Sequence, residues 1–307
     1  MKPTVFIDGE AGTTGLQIRE RLAERDDIEL LSIDPAKRKE EGARAELLNA
    51  ATVAILCLPD EAAREAGKLV SNPATAIIDA SSAHRTHPDW TYGFPEMAAS
   101  QRDQIKASKR ISNPGCYPTG FIALVRPLVE AGIVPENYPV TVNAVSGYTG
   151  GGKSMIAEFE AGGDAYRSYG LTQQHKHAPE MKHHAGLAHA PVFTPAVGHY
   201  AQGMIVEVPL ALWSLGNGAT RAEIAKSYEK AYGGAPFIDL YAPESADALT
   251  ALEPEANNNT NKLDLFVFGN DEQARLIARY DNLGKGASGA AVQNLNLVLG
   301  MDEATGL

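Results

Sequence analysis

The sequence predicts two domains in series. An α/β domain, built on a parallel sheet covered by helices on both faces, precedes an α+β domain with a mostly antiparallel sheet. Three observations carry this. In the first hundred residues short apolar runs alternate with helical segments, and continuous apolar strands of that kind are buried on both faces. The last third instead sets strands close together with few helices between them. Between the first strand and the first helix lies a turn with glycines at 9, 12 and 15.

Taken in order, TVFID (4–8) is an apolar strand that stops at Gly9, and LQIRERLAE follows with Leu16, Ile18 and Leu22 at helical spacing. IELLSI (28–33), TVAILCL (52–58) and TAIIDAS (75–81) are the next strands, with DEAAREAGKLV a helix between the last two. Cys57 falls inside an apolar strand and reads as a small buried hydrophobe. TGFIALVRPLVEAG (119–132) returns to helical spacing. GMIVEVPLAL (203–212), FIDLY (237–241), KLDLFVF (262–268) and QARLIARY (273–280) are strands, with GNDE a hairpin turn between the last two. TRAEIAKSYEKAYGG is an amphipathic helix ended by glycine. A turn and an apolar helix over 281–301 close the chain.

The 307 residues suffice for two domains with a substantial core. A net charge of -11 argues against a nucleic-acid binder, which would carry a basic patch. A small anionic ligand stays open, because a local cluster of donors outweighs distant surface charge. The opening residues, MKPTVFIDG, hold too few apolar residues for a signal peptide, and no run is long enough to span a bilayer. Two cysteines far apart in sequence suggest no disulfide framework, so the expected location is the reducing cytoplasm.

Strand, glycine-rich turn and helix form the setting of a dinucleotide site, with Gly9, Gly12, Thr13, Thr14 and Gly15 at the helix start. The spacing is G-x-x-G-x-x-G rather than G-x-G-x-x-G, and a ligand-free tight turn gives the same pattern. Ligands of parallel sheets bind at the carboxyl ends of the strands, which puts Gly9 to Gly15, Ser32, Leu58, Pro59 and Ser81–Ser82 on one rim. Asp34 suits the ribose hydroxyl of NAD, whereas Ser32, Lys37, Arg38 and Lys39 suit the 2′-phosphate of NADP. The pattern leaves both open and leans to NADP, although a run such as KRK is commonly a solvated loop.

SNPGCYPTGF (112–121) holds the second cysteine between two prolines, just before an apolar helix. Proline is disfavoured inside a helix but welcome in its first turn, so Cys116 sits at or just before a helix N-terminus. Backbone N–H groups there lower a thiol pKa, and Gly115 leaves room for a substrate, which makes Cys116 a candidate nucleophile. A buried turn cysteine is the plainer reading. A thiolate calls for an imidazole partner, and HKHAPEMKHH (175–184) gathers four of the eight histidines. Zinc competes for that cluster, as does a plain surface histidine group. Pro179 interrupts a continuous helix, however, and no H-E-x-x-H spacing is present, so no metal is expected. His175 and His177, alternating in an extended segment, would share a face and offer a general acid/base.

GYTGGGKS (147–154) matches the P-loop pattern, after an apolar run and before a possible helix, and so raises a nucleoside triphosphatase. Against this, a complete strand–helix alternation already precedes it, where a P-loop opens its domain. The alternative is a loop that bends around a substrate or nicotinamide ring.

In order along the chain, GEAGTTG, SNPGCYPTG, SGYTGGGK, HKHAPE, FTPAVGHYAQGM and DNLGKGASGAAVQ resemble the N-acetyl-γ-glutamyl-phosphate reductase family of arginine biosynthesis, in its short form. The resemblance covers essentially the whole chain, and N-P-G-C-Y-P-T with H-[RK]-H-x-P-E is its specific part. It implies a Rossmann domain over 1–115, to which a C-terminal helix (285–307) returns. It also implies a catalytic and dimerisation domain over 116–284, in a glyceraldehyde-3-phosphate dehydrogenase-like fold. The implied reaction is NADPH-dependent reduction of N-acetyl-L-glutamyl 5-phosphate to the 5-semialdehyde through a thioester on Cys116. His175 is then the acid/base, with His177, which competes for that role, and Glu180 in the same pocket. Arg85, Asn113 and Lys153 resemble substrate-holding positions, and Ser146, Gly147 and Asn282 resemble contacts to the nicotinamide end. Ala196 stands where some members carry histidine, and Lys176 where arginine is common. The implied partners are a small acyl phosphate and further copies of the chain, as a dimer or tetramer, with no nucleic acid and no membrane. Within the same chemistry, an aspartate-semialdehyde dehydrogenase or an N-acetyl-aminoadipyl-phosphate reductase is the alternative. Outside it stand the P-loop enzyme and a catalytically silent binding module.

Overall fold

The computed structural model describes residues 2–216 and 218–307. The chain forms two compact units, one of Met1–Pro95, Ser100–Gly115 and Ala287–Leu307, the other of Glu96–Ala99 and Cys116–Gly286.

The first unit runs β1 (Thr4–Asp8), α1 (Thr13–Ala23), β2 (Glu29–Leu31), α2 (Glu41–Ala50), β3 (Val53–Leu56), α3 (Asp60–Leu69), β4 (Ala76–Asp79), β5 (Thr91–Tyr92), α4 (Gln101–Ala107) and β6 (Arg110–Ser112). Its strands lie in the order β2-β1-β3-β4-β6-β5, and every pairing is parallel. Both faces are covered: Val5, Ile7, Val53 and Ile55 belong to one apolar cluster, Phe6, Ala54 and Leu56 to another. Burial on both faces is why β3 and β4 read as unbroken apolar runs. The strand expected over 75–81 ends at Asp79, because the backbone N–H and hydroxyl of Ser81 turn back onto the Asp79 carboxylate. Helix α2 falls where the strand–helix alternation calls for one, but its bounds are not legible in the sequence, since Leu48 is its one buried residue and its apolar stripe is correspondingly thin. The strand order reverses between β1 and β3, and the Gly9 turn and Leu58 meet there at the carboxyl ends.

The second unit contains α5 (Cys116–Glu130), β7 (Thr141–Gly147), α6 (Gly152–Glu160), β8 (Tyr166–Ser168), α7 (Ala178–Ala185), β9 (Val192–Gly198), β10 (Met204–Ala211), α8 (Arg221–Tyr232), β11 (Ile238–Tyr241), α9 (Pro243–Asp247), β12 (Leu263–Gly269) and β13 (Gln273–Tyr280). The sheet order is β11-β12-β13-β10-β7-β9-β8. Four pairings are antiparallel, while β7 with β9 and β11 with β12 are parallel, so the sheet is mixed. Strand β9, with Pro195 in its middle, gave no clear strand signal in sequence. The last helix, α10 (Gly289–Leu299), belongs to the first unit and packs its Ala291, Val292 and Leu295 into that core. No helix among the described residues is long and apolar enough to cross a membrane.

Helix α5 packs on β13 and β10 between α7 and α8, and eleven of its fifteen residues are buried. Pro118 occupies the third position, where its missing N–H would have found no helical partner. Pro127 lies inside the helix and deprives the Ala123 carbonyl of its amide partner. Helix α8 repairs this: the Tyr232 hydroxyl donates to Ala123 O at 2.9 Å, and Tyr228 donates to Leu124 O at 2.7 Å. Both phenols are held in the neutral form, their pKa values raised chiefly by burial. Replacing Tyr232 by Phe leaves a buried carbonyl unmatched and is expected to cost about 1–3 kcal/mol. Because Pro127→Ala supplies the missing N–H, its stability effect should be more favourable in the Tyr232→Phe background than in the parent protein. A double-mutant cycle by denaturant unfolding that finds the two changes additive would overturn this pairing.

Candidate active site

At the rim of the parallel sheet, Gly9 adopts φ +90°, and a side chain there would strike the Cys57 carbonyl. A Cβ on Gly15 would lie 2.6 Å from the Gly9 carbonyl, so close packing of α1 on the turn demands that glycine too. Gly12 differs: its nearest neighbour would be 3.4 Å away, and it keeps the front of the turn open. Helix α1 begins after it with no side-chain cap, so Thr13, Thr14 and Gly15 present the start of an eleven-residue helix without a protein anion. Cys57, at the end of β3, has its thiol pushed up to about 12 by burial and then by Asp79 and Asp8, so it stays protonated.

Ser32 follows β2 and is exposed, as is Arg38, which makes no ion pair among the described residues. The guanidinium near Ser32 comes from α1. Arg19 Nη1 lies 3.5 Å from Ser32 Oγ and 2.5 Å from Glu10 Oε2. Arg19 is not among the residues the sequence offers for this place, because it lies 13 positions from Ser32 along the chain and meets it through tertiary packing.

Cys116 is the first residue of α5 and is half-buried. Its neighbour Tyr117 anchors the site, donating to the Ala196 carbonyl at 3.0 Å and accepting from the Tyr169 hydroxyl at 3.1 Å. Ala196 thus serves through its backbone, and His199 bonds instead to the Gly163 carbonyl. Tyr117, Tyr169 and Tyr280 are held in the neutral form, their pKa values raised first by burial, with a Cys116 thiolate adding in the same direction.

His175 is packed by the same rings. Its imidazole centroid lies 6.3 Å from Tyr117, 5.6 Å from Tyr169, 5.1 Å from Phe193 and 4.7 Å from His177. Sequence reading put His175 and His177 in an extended segment, but the chain turns there. Ala178 N–H bonds back to His175 O, and His177 N–H donates to His175 Nδ1 at 3.1 Å. With Nδ1 accepting, the neutral ring carries its proton on Nε2. Burial, then the Lys176 charge, pushes the His175 pKa down to about 4. His177 and Glu180 are buried on the adjoining turn and first turn of α7. Among the described residues no three His, Cys, Asp or Glu side chains are grouped to hold a metal ion.

The P-loop match takes a different form. β7 lies inside a mixed sheet, and the N–H groups of Gly147, Tyr148 and Thr149 are spent on the carbonyls of Gly203, Tyr200 and Ala201. Those three N–H groups are thus closed to a phosphate, and a P-loop opening its domain's parallel sheet is not the setting found here. Lys153 stands exposed near the start of α6, while Ser146 is buried with its hydroxyl on the Gly147 carbonyl. Asn282 accepts from Gly203 N–H and donates to Thr149 Oγ1, tying together the loop expected at the nicotinamide.

Arg85 and Asn113 come together in the first unit. Arg85 is buried and bonds the Asn113 and Ala80 carbonyls. The Asn113 carboxamide donates to Ala287 O and accepts from Asn294, which commits both ends of its side chain to the fold. Asn113 is thus tied by its side chain to the segment around Ala287 and Asn294.

Two family models cover most of the chain: semialdehyde dehydrogenase, NAD binding domain, over residues 4–107, and semialdehyde dehydrogenase, dimerisation domain, over residues 116–282. N-acetyl-gamma-glutamyl-phosphate reductase 2 of Nostoc sp. is 53% identical over 100% of this chain and 99% of its own. The N-acetyl-gamma-glutamyl-phosphate reductase of Burkholderia cenocepacia is 53% identical over 98% of this chain and 99% of its own. In fold, the chain is similar to aspartate semialdehyde dehydrogenase II of Vibrio cholerae, with TM-score 0.72 at 16% identity over 97% of this chain and 98% of that one. The Candida albicans aspartate semialdehyde dehydrogenase, solved with NADP, gives 0.66 at 12% identity over 97% and 99%. An uncapped glycine-turn helix, a cysteine opening a buried helix and full-length identity above one half lead to one assignment: this chain belongs to the semialdehyde dehydrogenase family, among the N-acetyl-γ-glutamyl-phosphate reductases.

Proposed function

We propose that this chain reduces N-acetyl-L-glutamyl 5-phosphate to N-acetyl-L-glutamate 5-semialdehyde and phosphate, with NADPH, through a thioester on Cys116. The observation that carries the reading is Cys116 at the first position of a buried helix, with His175 against the adjoining Tyr117 ring. Helix N–H groups favour the thiolate and the oxyanion that forms on attack. The thiolate adds to the acyl carbonyl, the bond to phosphate breaks as the thioester forms, and the departing phosphate takes a proton from solvent, the one proton consumed in each turnover. When bound, the reduced nicotinamide supplies the hydride to the thioester carbonyl. His175, neutral near pH 7, works as a hydrogen-bond donor through Nε2–H to the oxygen on which charge gathers. The carbon–sulfur bond then breaks, releasing the aldehyde and returning the thiolate, so that capture and reduction are separate steps.

The open, uncapped start of α1 at Gly12 fits a pyrophosphate. Arg19 beside Ser32 supports NADP over NAD, because a guanidinium and a hydroxyl match a 2′-phosphate. His177, Glu180, Arg85 and Lys153 remain the proposed substrate side of the site, and Ser146, Gly147 and Asn282 its nicotinamide side. A family model described as a dimerisation domain supports a homo-oligomer, dimer or tetramer. Cys57 and Cys116 without a disulfide, and no membrane-crossing helix among the described residues, support the cytoplasm.

Phosphate-dependent oxidation of N-acetylglutamate semialdehyde, run with each nicotinamide cofactor, tests the reading. NADP should be preferred and aspartate semialdehyde should be a poor substrate; equal rates on the two aldehydes would sink the substrate assignment. Cys116→Ser should abolish turnover with NADPH still bound, and a fully active variant would remove the thioester. Arg19→Ala should weaken NADPH binding about tenfold or more while barely moving NADH, whereas equal losses would place the 2′-phosphate elsewhere. For His175→Asn, kcat should fall roughly 100-fold or more with cofactor affinity retained, and an unchanged rate would move the role to His177. The same variant reads out a pH effect. Below pH 6.5 the unfolded imidazole takes up a proton that the folded one, near 4, refuses, so the parent loses stability as pH falls. The Tm of His175→Asn should accordingly decline less than the parent's between pH 6.5 and 5; parallel curves would contradict the buried neutral ring.

A further inference from the structure

Tyr280 ends β13, in the middle of the mixed sheet between β12 and β10, and is fully buried. Its hydroxyl reaches the first turn of α5 in two directions, donating to the Cys116 carbonyl at 2.6 Å and accepting from Gly120 N–H at 3.0 Å. These are the two groups that face each other across one i, i+4 step of a helix, so a single phenol holds both sides of the turn that carries the nucleophile. Glycine inside a helix costs roughly 0.5–1 kcal/mol relative to alanine, and Gly120 has a reason to be there. A Cβ on it would lie 2.7 Å from the Tyr280 hydroxyl and 2.7 Å from Cε1.

The chain just after Tyr280 completes the grip. Gly286 N–H bonds Asp281 O, closing the π-helical turn Gly284–Ser288, and a Cβ on Gly286 would lie 3.1 Å from Cys116 Cβ. Asp281 is fixed by Gln202, Asn259 N–H and Leu283 N–H. Lys285 pairs with Glu96 at 2.8 Å, with both side chains 1% exposed. The phenol therefore stands on a base with little freedom to move.

We propose that Tyr280 is a positioning residue for Cys116: its hydroxyl, donating to the Cys116 carbonyl and accepting from Gly120 N–H, sets the first turn of α5 and with it the place of the nucleophile. This rests on the reading of Cys116 as the attacking thiolate. Burial, and next the Cys116 charge, keep the phenol protonated and able to donate. Tyr228 makes the same kind of bond to Leu124 O farther along the helix and is the control for simple bracing.

The experiment compares Tyr280→Phe, Gly120→Ala and Tyr228→Phe in kcat, KM, NADPH affinity and the pH midpoint of Cys116 alkylation by iodoacetamide. Glu180, His175, His177, Asp281 and Lys285 are left in place by every variant. In Tyr280→Phe, kcat should fall about tenfold or more, as for a sub-ångström misplacement, with KM and NADPH affinity near the parent's. Its alkylation midpoint should move to higher pH, because a loosened first turn no longer holds the helix-start N–H groups where they favour the thiolate. Gly120→Ala, which expels the ring, should behave alike and serves if Tyr280→Phe fails to fold. Tyr228→Phe should lose stability with kcat and midpoint unmoved. If Tyr280→Phe and Tyr228→Phe change both readouts equally, or neither, the positioning role is wrong. A Cys116→Ser protein that turns over would instead remove the parent reading, whatever the alkylation midpoint does.

Discussion

A helix buried along nearly its whole length must satisfy its polar backbone without water, and α5 does so while breaking the usual rules. It contains a proline in its interior and a glycine in its first turns. Three buried phenols answer these departures: Tyr232 and Tyr228 at the carbonyls of Ala123 and Leu124, Tyr280 at the first turn. Buried polar groups are costly when unpaired and rigidifying when paired: Tyr228 and Tyr232 brace the later turns of α5, while the Tyr280 bonds lie where it begins. Cys116 is that beginning. In the proposed mechanism this helix start carries the attacking sulfur.

Around it the structure separates two electrostatic tasks. The sulfur sits where helix N–H groups favour negative charge. The imidazole sits in a wall of Tyr117, Tyr169 and Phe193, where burial disfavours positive charge. A stable thiolate–imidazolium pair is therefore not the resting arrangement on the histidine side. The neutral ring, with its Nδ1 held by His177 N–H, keeps a defined proton on Nε2, which the proposed mechanism directs to an oxygen that gains charge during reaction. A donor fixed in advance contributes most where charge develops, since nothing has to reorganise.

Several residues that carry family-specific motifs act on neighbouring chain rather than on open space. Asn113, Asn282 and the N–H groups of 147–149 are committed to internal hydrogen bonds. Gly9 and Gly15 are needed because backbone passes within van der Waals contact, while Gly12 alone leaves the turn open. Motif residues of this kind preserve the shape of a site, and a sequence pattern by itself does not distinguish them from residues that touch a ligand.

Much of the fold was legible without coordinates. Unbroken apolar strands announced a sheet covered on both faces, closely spaced strands announced the second sheet, and prolines flanking Cys116 announced a helix start. Those signals are local: periodicity, breaker residues and helix-end electrostatics act within a few residues, so they are written in consecutive letters. What tertiary structure decided lies across the chain. Arg19 stands beside Ser32, the parallel partnership of β7 with β9 arises from a long crossover, and Tyr280 reaches Cys116 from 164 residues away. Hydrogen bonds and close contacts of that separation depend on how elements pack in three dimensions. No spacing rule along a single strand or helix encodes them.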